Sequence, residues 1–160
     1  MCSSDLGGVT GFVMTAAEHC QADHIAFMAR QARGLVCLAL TPQRCEELEL
    51  PLMVEGDDSL SPFTLSIEAA TGIDTGISAA DRARTVQVAV DALSQPSDLV
   101  QPGHIFPIAA AAGGVLTRTA PAEAAVDLTT LAGLTPAAVF TEVLDGEGAR
   151  SEEHTSELQS

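Results

Sequence analysis

The sequence contains no lysine, no tryptophan and no tyrosine, and only 3% of its 160 residues are aromatic. Without lysine the chain has no amine for a Schiff base and no basic residue for a phosphate loop of the Walker type. With so few aromatic rings it is poorly supplied for stacking on nucleic-acid bases. Its core must therefore be aliphatic, built from valine, leucine, isoleucine and alanine.

Positive charge is also scarce, because seven arginines face 22 acidic residues and the formal net charge is −15. Such a surface repels phosphate backbones, which argues against a nucleic-acid partner. No apolar run approaches the roughly 18 residues of a membrane span, and the first residues lack the positive charge of a secretion signal. The sequence predicts a soluble cytoplasmic protein with no membrane partner.

The four cysteines are Cys2, Cys20, Cys37 and Cys45. They form no C-x-x-C pair, and no histidine-rich spacing accompanies them that would indicate zinc. In a cytoplasmic protein we expect them to be reduced thiols.

Both ends of the chain differ in character from the rest. MCSSDLGG at the start and SEEHTSELQS at the end resemble translated sequencing-adapter DNA. We therefore expect residues 1–8 and 151–160 to be adapter-derived tails. Between them lies one domain, residues 9–150, that we expect to be incomplete at both ends. Its length suits a single domain with its own core.

Apolar runs and helical patterns are mixed along this domain. Strands are predicted at 9–17, 35–40, 63–70, 104–111 and 137–144, with a turn and short strand at 113–118 and an exposed loop at 51–62. Helices are predicted at 21–33, from Thr41, at 78–93 and at 121–133, with a capping box at Ser78 and Asp81 and a C-cap at Gly133. Because the elements do not strictly alternate, we expect an α+β fold, with three α/β/α layers around a mixed twisted sheet.

Three residues could carry chemistry because they lie at strand ends or within apolar runs. His104, after a Pro-Gly break, could be a general acid or base, or a loop histidine bonded to the backbone. Glu142, in an apolar strand, could be a base, or could lie on the solvent side of an edge strand. Arg118, after a Gly-Gly turn, could hold a phosphate, or could be a surface charge. The residue types alone leave these alternatives open.

Longer motifs favour the catalytic and binding alternatives for these residues. They are RGLVCLAL at Arg33, LELPLMVE at Leu48, FTLSIEAATGIDTGISAADRARTV at Phe63, PSDLVQPGHIFPI at Pro96, GGVLTR at Gly113 and EAAVDLTTLAGLTPAAV at Glu123. Across residues 16–150 the chain resembles 3,4-dihydroxy-2-butanone 4-phosphate synthase, an enzyme family of riboflavin biosynthesis. The resemblance implies a magnesium-dependent reaction in which ribulose 5-phosphate is rearranged and one carbon leaves as formate.

The resemblance also implies roles for individual residues. It places His104 and Glu142 on residues that are essential for proton transfers. Arg118 and Thr119 fall on the start of the family's R-x-G-H-T-E substrate loop, and a homodimer that binds a sugar phosphate is implied.

Thr75 and Thr85 match a family motif near the active-site cleft, and we assign both to substrate binding. Cys37 matches a frequent cysteine of the family, but its size and apolar surroundings favour a core residue.

Two departures from the family pattern concern the metal. Where the family reads R-x-G-H-T-E, this chain reads RTAPAE, so that Pro121 and Ala122 replace the metal-binding histidine and the threonine beside it. The acidic R-E-N-E-G-D loop of the family is also missing, because the residues before the strand GFVMTAA are GGVT. The chain as written therefore offers none of the expected metal ligands.

Two functional hypotheses follow. In the first, the chain converts ribulose 5-phosphate to 3,4-dihydroxy-2-butanone 4-phosphate and formate, and Glu123 or a partner subunit compensates for the missing metal ligands. In the second, it is a degenerate, non-catalytic synthase-like domain that dimerises or acts as a scaffold, derived from a fusion with GTP cyclohydrolase II.

Overall fold

The computed structural model describes residues 11–53 and 62–144. The strands are β1 (Phe12–Ala16), β2 (Cys37–Leu40), β3 (Ile67–Ala69), β4 (Leu99–Ala109) and β5 (Ala138–Glu142). The helices are α1 (Ala22–Phe27), which continues as a π-helical turn (Met28–Ala32), α2 (Pro42–Glu47), α3 (Ala79–Val90) and α4 (Pro121–Leu131).

The strands form one sheet in the order β1-β5-β2-β4-β3. β2 runs parallel to β4, with Cys37 opposite Phe106, and antiparallel to β5, with Cys37 opposite Phe140. The edge strands β1 and β3 pair antiparallel with β5 and β4. The sheet is therefore mixed, as predicted.

Alternate residues of β2 show how the layers form. Leu38 and Leu40 belong to a cluster that includes apolar residues of α1, α2 and α3. Cys37 and Ala39 belong to a second cluster that includes residues of α4. Each fully buried leucine contributes about 1.5–3 kcal/mol to folding. Helices thus cover both faces of the sheet, which confirms the predicted three-layer α/β/α fold.

Two predicted N-cap residues and the predicted helix-ending glycine are confirmed. The hydroxyl of Thr41 accepts a hydrogen bond from the Arg44 amide at 3.2 Å, and that of Ser78 accepts one from the Asp81 amide at 3.0 Å. Both are N-cap contacts. Past the end of α4, Gly133 adopts a φ of 74°, the left-handed conformation that closes a helix.

Three predicted segments differ from the structure. Because α3 ends at Val90, Leu93 is 88% exposed instead of lying on the apolar face of that helix. The short strand predicted after the Gly-Gly pair is a 3-10 turn, Gly114–Leu116, since Gly113 has a φ of 93° and reverses the chain. β4 begins at Leu99 rather than at residue 104.

The described cysteines, Cys20, Cys37 and Cys45, are free and buried. Burial raises the pKa of the Cys37 thiol to about 12, which keeps it protonated and agrees with a core role. Cys2, the strand start at 9–10, most of the 51–62 loop and both tails lie outside the described residues. Within the described ranges, no helix has the length and apolar character needed to cross a bilayer.

Candidate active site

Strand pairing brings His104 and Glu142 to the same end of the sheet. Phe106 of β4 and Phe140 of β5 both lie opposite Cys37 on the strand between them. His104 precedes Phe106 by two residues, and Glu142 follows Phe140 by two residues on an antiparallel strand, so both lie beyond the start of β2. With two strand spacings between them, their backbones are roughly 10 Å apart.

Glu142 does not lie on an edge strand, because β5 is flanked by β1 and β2. Its side chain is half-buried. The edge-strand alternative for Glu142 is therefore wrong, while its catalytic role stays a prediction.

The His104 ring contacts a carboxylate that the sequence did not single out. Its Nδ1 atom is in hydrogen-bond contact with Oε1 of Glu68 on β3. The His104 side chain is 44% exposed, whereas that of Glu68 is only 16% exposed. One edge of the imidazole is thus held by the protein while the ring remains open to solvent. The alternative in which His104 bonds only to backbone does not describe this contact.

A bulge in β4 sets the position of His104. The register between β3 and β4 shifts between Ile67 and Glu68. Gly103 approaches β3 so closely that a side chain there would overlap the Ile67 carbonyl, and its amide donates to the Ser66 hydroxyl at 3.0 Å. Bulges re-aim side chains, and this one directs His104 onto Glu68.

The loop between β3 and α3 closes over Glu68. Gly76 has a φ of 78°, and a side chain there would overlap the Glu68 carboxylate. Asp81 holds this loop, because its Oδ2 accepts from the Gly76 amide at 3.0 Å and its Oδ1 from the Asp74 amide at 3.3 Å. We call the following residues the histidine cluster: Ser66, Glu68, Gly76, Gly103 and His104.

Burial opposes ionisation of Asp81, but hydrogen bonds from the loop amides and from Ser78 outweigh it and hold the pKa of Asp81 below its usual value. The capping box predicted at Ser78 would direct this carboxylate to the helix N-cap. The structure directs it to the loop that covers Glu68, through the Gly76 and Asp74 amides, with a further hydrogen bond from the Ser78 side chain.

The two predicted threonines differ in accessibility. Thr75 is exposed in the same loop, and its hydroxyl accepts a weak bond from the Ile77 amide at 3.4 Å. Thr85 is fully buried; its hydroxyl accepts from the Ala69 amide at 3.0 Å and donates to the Asp81 carbonyl at 3.1 Å. Thr75 is available to a ligand, whereas Thr85 ties α3 to β3.

Arg118 is held by a fully buried carboxylate. Its Nε donates to Oε1 of Glu123 at 2.7 Å, its Nη2 also contacts that oxygen, and Nη2 donates to the Ala109 carbonyl at 3.3 Å. The same Glu123 oxygen accepts from the Ala111 amide at 2.7 Å. The Arg118 side chain is one-third exposed, and none of the described residues bonds to its Nη1 group. Arg118 is therefore not simply a surface charge.

The turn that carries Arg118 is fastened to α4 at two points. Besides the Glu123 contacts, the Val115 amide donates to Asp127 at 3.0 Å. Pro121 occupies the first turn of α4, where its fixed φ suits a helix start and its missing amide costs nothing. Thr119 is exposed just before this start. We call residues 113–123 the arginine turn.

The histidine cluster and the arginine turn lie apart. Arg118 bonds to the carbonyl of Ala109 at the far end of β4, and the strand from His104 to Ala109 spans roughly 17 Å at its usual rise. The structure therefore brings His104 and Glu142 to one end of the sheet and places Arg118 at the other.

Sequence reasoning missed Glu68, and it considered Glu123 only as a substitute for the missing metal ligands, not as the partner of Arg118. The only available signal for Glu68 was alternation along residues 63–70, which places Thr64, Ser66 and Glu68 on one side of a strand. Glu123 lies in the first turn of α4, where an acidic residue is usually explained by the helix dipole.

The family model for 3,4-dihydroxy-2-butanone 4-phosphate synthase matches residues 8–159. A protein of that name from Pseudomonas syringae pv. tomato is 53% identical over 150 residues, which cover 92% of this chain and 41% of the relative.

Solved structures agree with the sequence match. The two-domain synthase RibBX from A. baumannii superposes with a TM-score of 0.85 at 47% identity, covering 90% of this chain and 43% of that one. A synthase in complex with two magnesium ions superposes with a TM-score of 0.80 at 39% identity, covering 88% and 69%. The chain thus spans about two fifths of the length of the first two relatives.

Proposed function

The chain belongs to the 3,4-dihydroxy-2-butanone 4-phosphate synthase family, and from that membership we propose that it converts ribulose 5-phosphate to 3,4-dihydroxy-2-butanone 4-phosphate and formate in riboflavin biosynthesis. The observation that carries the proposal is the family match over residues 8–159. The activity is proposed rather than transferred, because the chain covers only 41% of the Pseudomonas relative.

In this proposal His104 exchanges protons with the substrate. The reaction requires protons to be moved at several carbons, and imidazole ionises close to neutral pH. The half-exposed ring and its anchored Nδ1 edge support this role. The substrate would approach the ring from its open edge.

Glu142 is proposed as the second proton-transfer group. Its position beyond Phe140, at the same end of the sheet as His104, supports this assignment. A substrate several carbons long could extend between two groups whose backbones are roughly 10 Å apart.

Arg118 and Thr119 are proposed to bind the phosphate of the substrate. Because Arg118 lies roughly 17 Å along β4 from His104, too far for one sugar phosphate within a single chain, this role requires the proposed homodimer to bring Arg118 of one chain beside His104 of the other. Glu123 occupies the Nε edge of the guanidinium, no described residue bonds to Nη1, and Thr119 is exposed beside it.

Thr75 is proposed as a further substrate contact. Thr85 is proposed to position β3 against α3, because its hydroxyl is bonded to the Ala69 amide.

Magnesium is the cofactor that the family implies, and a related synthase has been solved with two magnesium ions. Within residues 11–53 and 62–144 no group of three or more histidine, cysteine, aspartate or glutamate side chains could hold a metal. Pro121 offers no ligand. Oε1 of Glu123 is engaged by Arg118 and the Ala111 amide, and Oε2 is buried, with no hydrogen-bond partner among the described residues. The described residues do not fit a magnesium site, so no step is assigned to the ion here.

The substitution at Pro121 is the observation that favours a second candidate, a non-catalytic synthase-like domain that dimerises or acts as a scaffold. Fusion to GTP cyclohydrolase II is its proposed origin. Formate release separates the two candidates, because only the enzyme produces it.

The test is to incubate the purified chain with ribulose 5-phosphate and magnesium and to assay formate. We expect formate to accumulate. Parallel samples carry the family's acidic loop ahead of residue 9, and then Pro121→His with Ala122→Thr. Formate from these last samples alone, with none from the chain or its loop-restored form, would contradict the enzyme proposal in favour of the degenerate domain.

We also propose a cytoplasmic homodimer with a single domain at residues 9–150. Exposed leucines beside and along α4 support an association surface: Leu116, Leu128 and Leu131 are 96%, 53% and 84% exposed. Light scattering at twice the 16.5 kDa of one chain would support the dimer.

A further inference from the structure

We propose that Glu68 is a positioning residue for His104: it fixes the neutral imidazole with its proton on Nδ1, so that Nε2 is the atom that exchanges protons with the substrate. The inference deepens the proposed function and rests on it for the catalytic part. Its structural part, the protonation pattern of the ring, stands independently.

The contact itself defines the tautomer. Oε1 of Glu68 lies against Nδ1 of His104. An ionised carboxylate can only accept hydrogen bonds, so Nδ1 must donate. In the neutral ring the other nitrogen then carries the lone pair. The described residues provide no partner for Nε2, which leaves it accessible on the open edge of the ring.

The carboxylate of Glu68 is held in place by the loop that packs against it. Gly76 packs against it so closely that no side chain fits between them, and the loop that carries Gly76 is pinned by Asp81. The Glu68 side chain is only 16% exposed, so it has little freedom to turn away from His104.

The imidazole is held equally well through its backbone. The β4 bulge abuts β3 at Gly103, whose amide is bonded to Ser66, the residue two positions before Glu68. Both partners of the pair are therefore fixed to the same short strand. This arrangement matches catalytic sites in which a carboxylate orients a histidine and selects its tautomer.

A second histidine, His24, serves as an internal reference, because its Nδ1 atom accepts a hydrogen bond instead of donating one. At the start of α1, Nδ1 of His24 accepts a hydrogen bond from the Gln21 amide at 3.0 Å. Neutral His24 must therefore carry its proton on Nε2. We therefore expect His104 and His24 to show opposite neutral tautomers in the same sample.

The first experiment is nitrogen-15 NMR of the histidine rings at alkaline pH, where the rings are neutral. Signals are assigned with His104→Gln and His24→Gln variants. We expect the Nδ1-protonated pattern at His104 and the Nε2-protonated pattern at His24. An Nε2-protonated pattern at His104 in the unsubstituted chain overturns the proposal, and this reading requires no activity and no substituted Glu68.

The second experiment compares Glu68→Leu, which removes the acceptor, with Glu68→Gln, which keeps an acceptor oxygen and the side-chain shape. We expect Glu68→Leu to lose the Nδ1-protonated preference and to lower kcat for formate release about 10- to 100-fold, with KM within about twofold. Glu68→Gln should give a tautomer preference and a kcat that lie between those of Glu68→Leu and those of the unsubstituted chain. Glu47→Gln on the exposed face of α2 is the control and should change neither.

The outcomes separate the two proposals. An unchanged kcat in folded Glu68→Leu, or an unchanged tautomer, overturns the positioning role. If the chain releases no formate while His104 shows the expected tautomer, the proposed function fails and the Glu68–His104 assignment stands.

Discussion

The histidine cluster and the arginine turn share one principle of construction. In each, a carboxylate on a regular element holds a basic side chain from a neighbouring bulge or turn: Glu68 holds His104, and Glu123 holds Arg118. They differ in burial. Glu68 keeps some exposure and leaves its imidazole 44% exposed, whereas Glu123 is fully buried beneath a guanidinium that is one-third exposed.

The two regions also differ in how closely they follow the family pattern. The histidine cluster lies in strings that match the family. The arginine turn keeps Arg118 and Glu123 of the R-x-G-H-T-E pattern and departs from that pattern between them, at Ala120, Pro121 and Ala122. Because Arg118 and Glu123 fasten the turn through their own side chains, the residues between them can differ from the family pattern without loss of the local fold.

The largest effect on stability is expected at the arginine turn. Glu123→Leu leaves Arg118 without its buried partner and should lower the free energy of unfolding by about 2–3 kcal/mol, less than for a fully buried pair because Arg118 is partly exposed. The double variant Arg118→Met with Glu123→Leu should recover most of this loss, as measured by urea denaturation. Equal losses in the single and double variants would show that the ion pair does not fasten the turn.

A smaller effect is expected behind the histidine cluster. Thr85→Val removes the hydroxyl that accepts from the buried Ala69 amide and should cost about 1–2 kcal/mol. Thr129→Val is the matched control on α4, because the buried Thr129 hydroxyl only donates to carbonyls of its own helix. It should cost less than about 0.5 kcal/mol. Similar losses for both variants in thermal unfolding would contradict the role given to Thr85.

The smallest effect is a pH dependence. Asp81 has a lowered pKa in the folded chain, so its ionised form contributes stability that is fully present above its usual value of 3.8 and is lost as the pH falls through the folded value. Asp81→Asn should therefore be less stable than the unsubstituted chain at pH 7, and the gap should narrow below about pH 4. Parallel melting temperatures from pH 7 to 3 would refute this.

Sequence reasoning reached the fold because each buried element has its own apolar pattern. β2 is a continuous apolar run and α3 begins at a serine cap, and neither signal depends on distant residues. The same reasoning found His104 and Arg118, which stand beside Gly-containing breaks in apolar segments.

The partners of these residues could not be predicted in the same way. Glu68 and His104 are 36 positions apart, and their contact depends on a bulge that shifts the register of β4 against β3. A hydrophobic pattern specifies the face of a strand but not a local insertion in its pairing. The 3-10 turn after Gly113 was predicted as a short strand for a related reason. Glycine permits several turn conformations, and the packing on α4 selects one of them.

The central claim is that His104 remains the working part of a synthase site, and formate release from ribulose 5-phosphate tests it most directly. The assay compares His104→Gln with His24→Gln, in the unsubstituted chain or in the Pro121→His, Ala122→Thr background, whichever releases more formate. The account predicts that His104→Gln lowers the rate at least about 100-fold while the melting temperature is kept, and that His24→Gln leaves the rate unchanged. Equal rates in the two variants would contradict it.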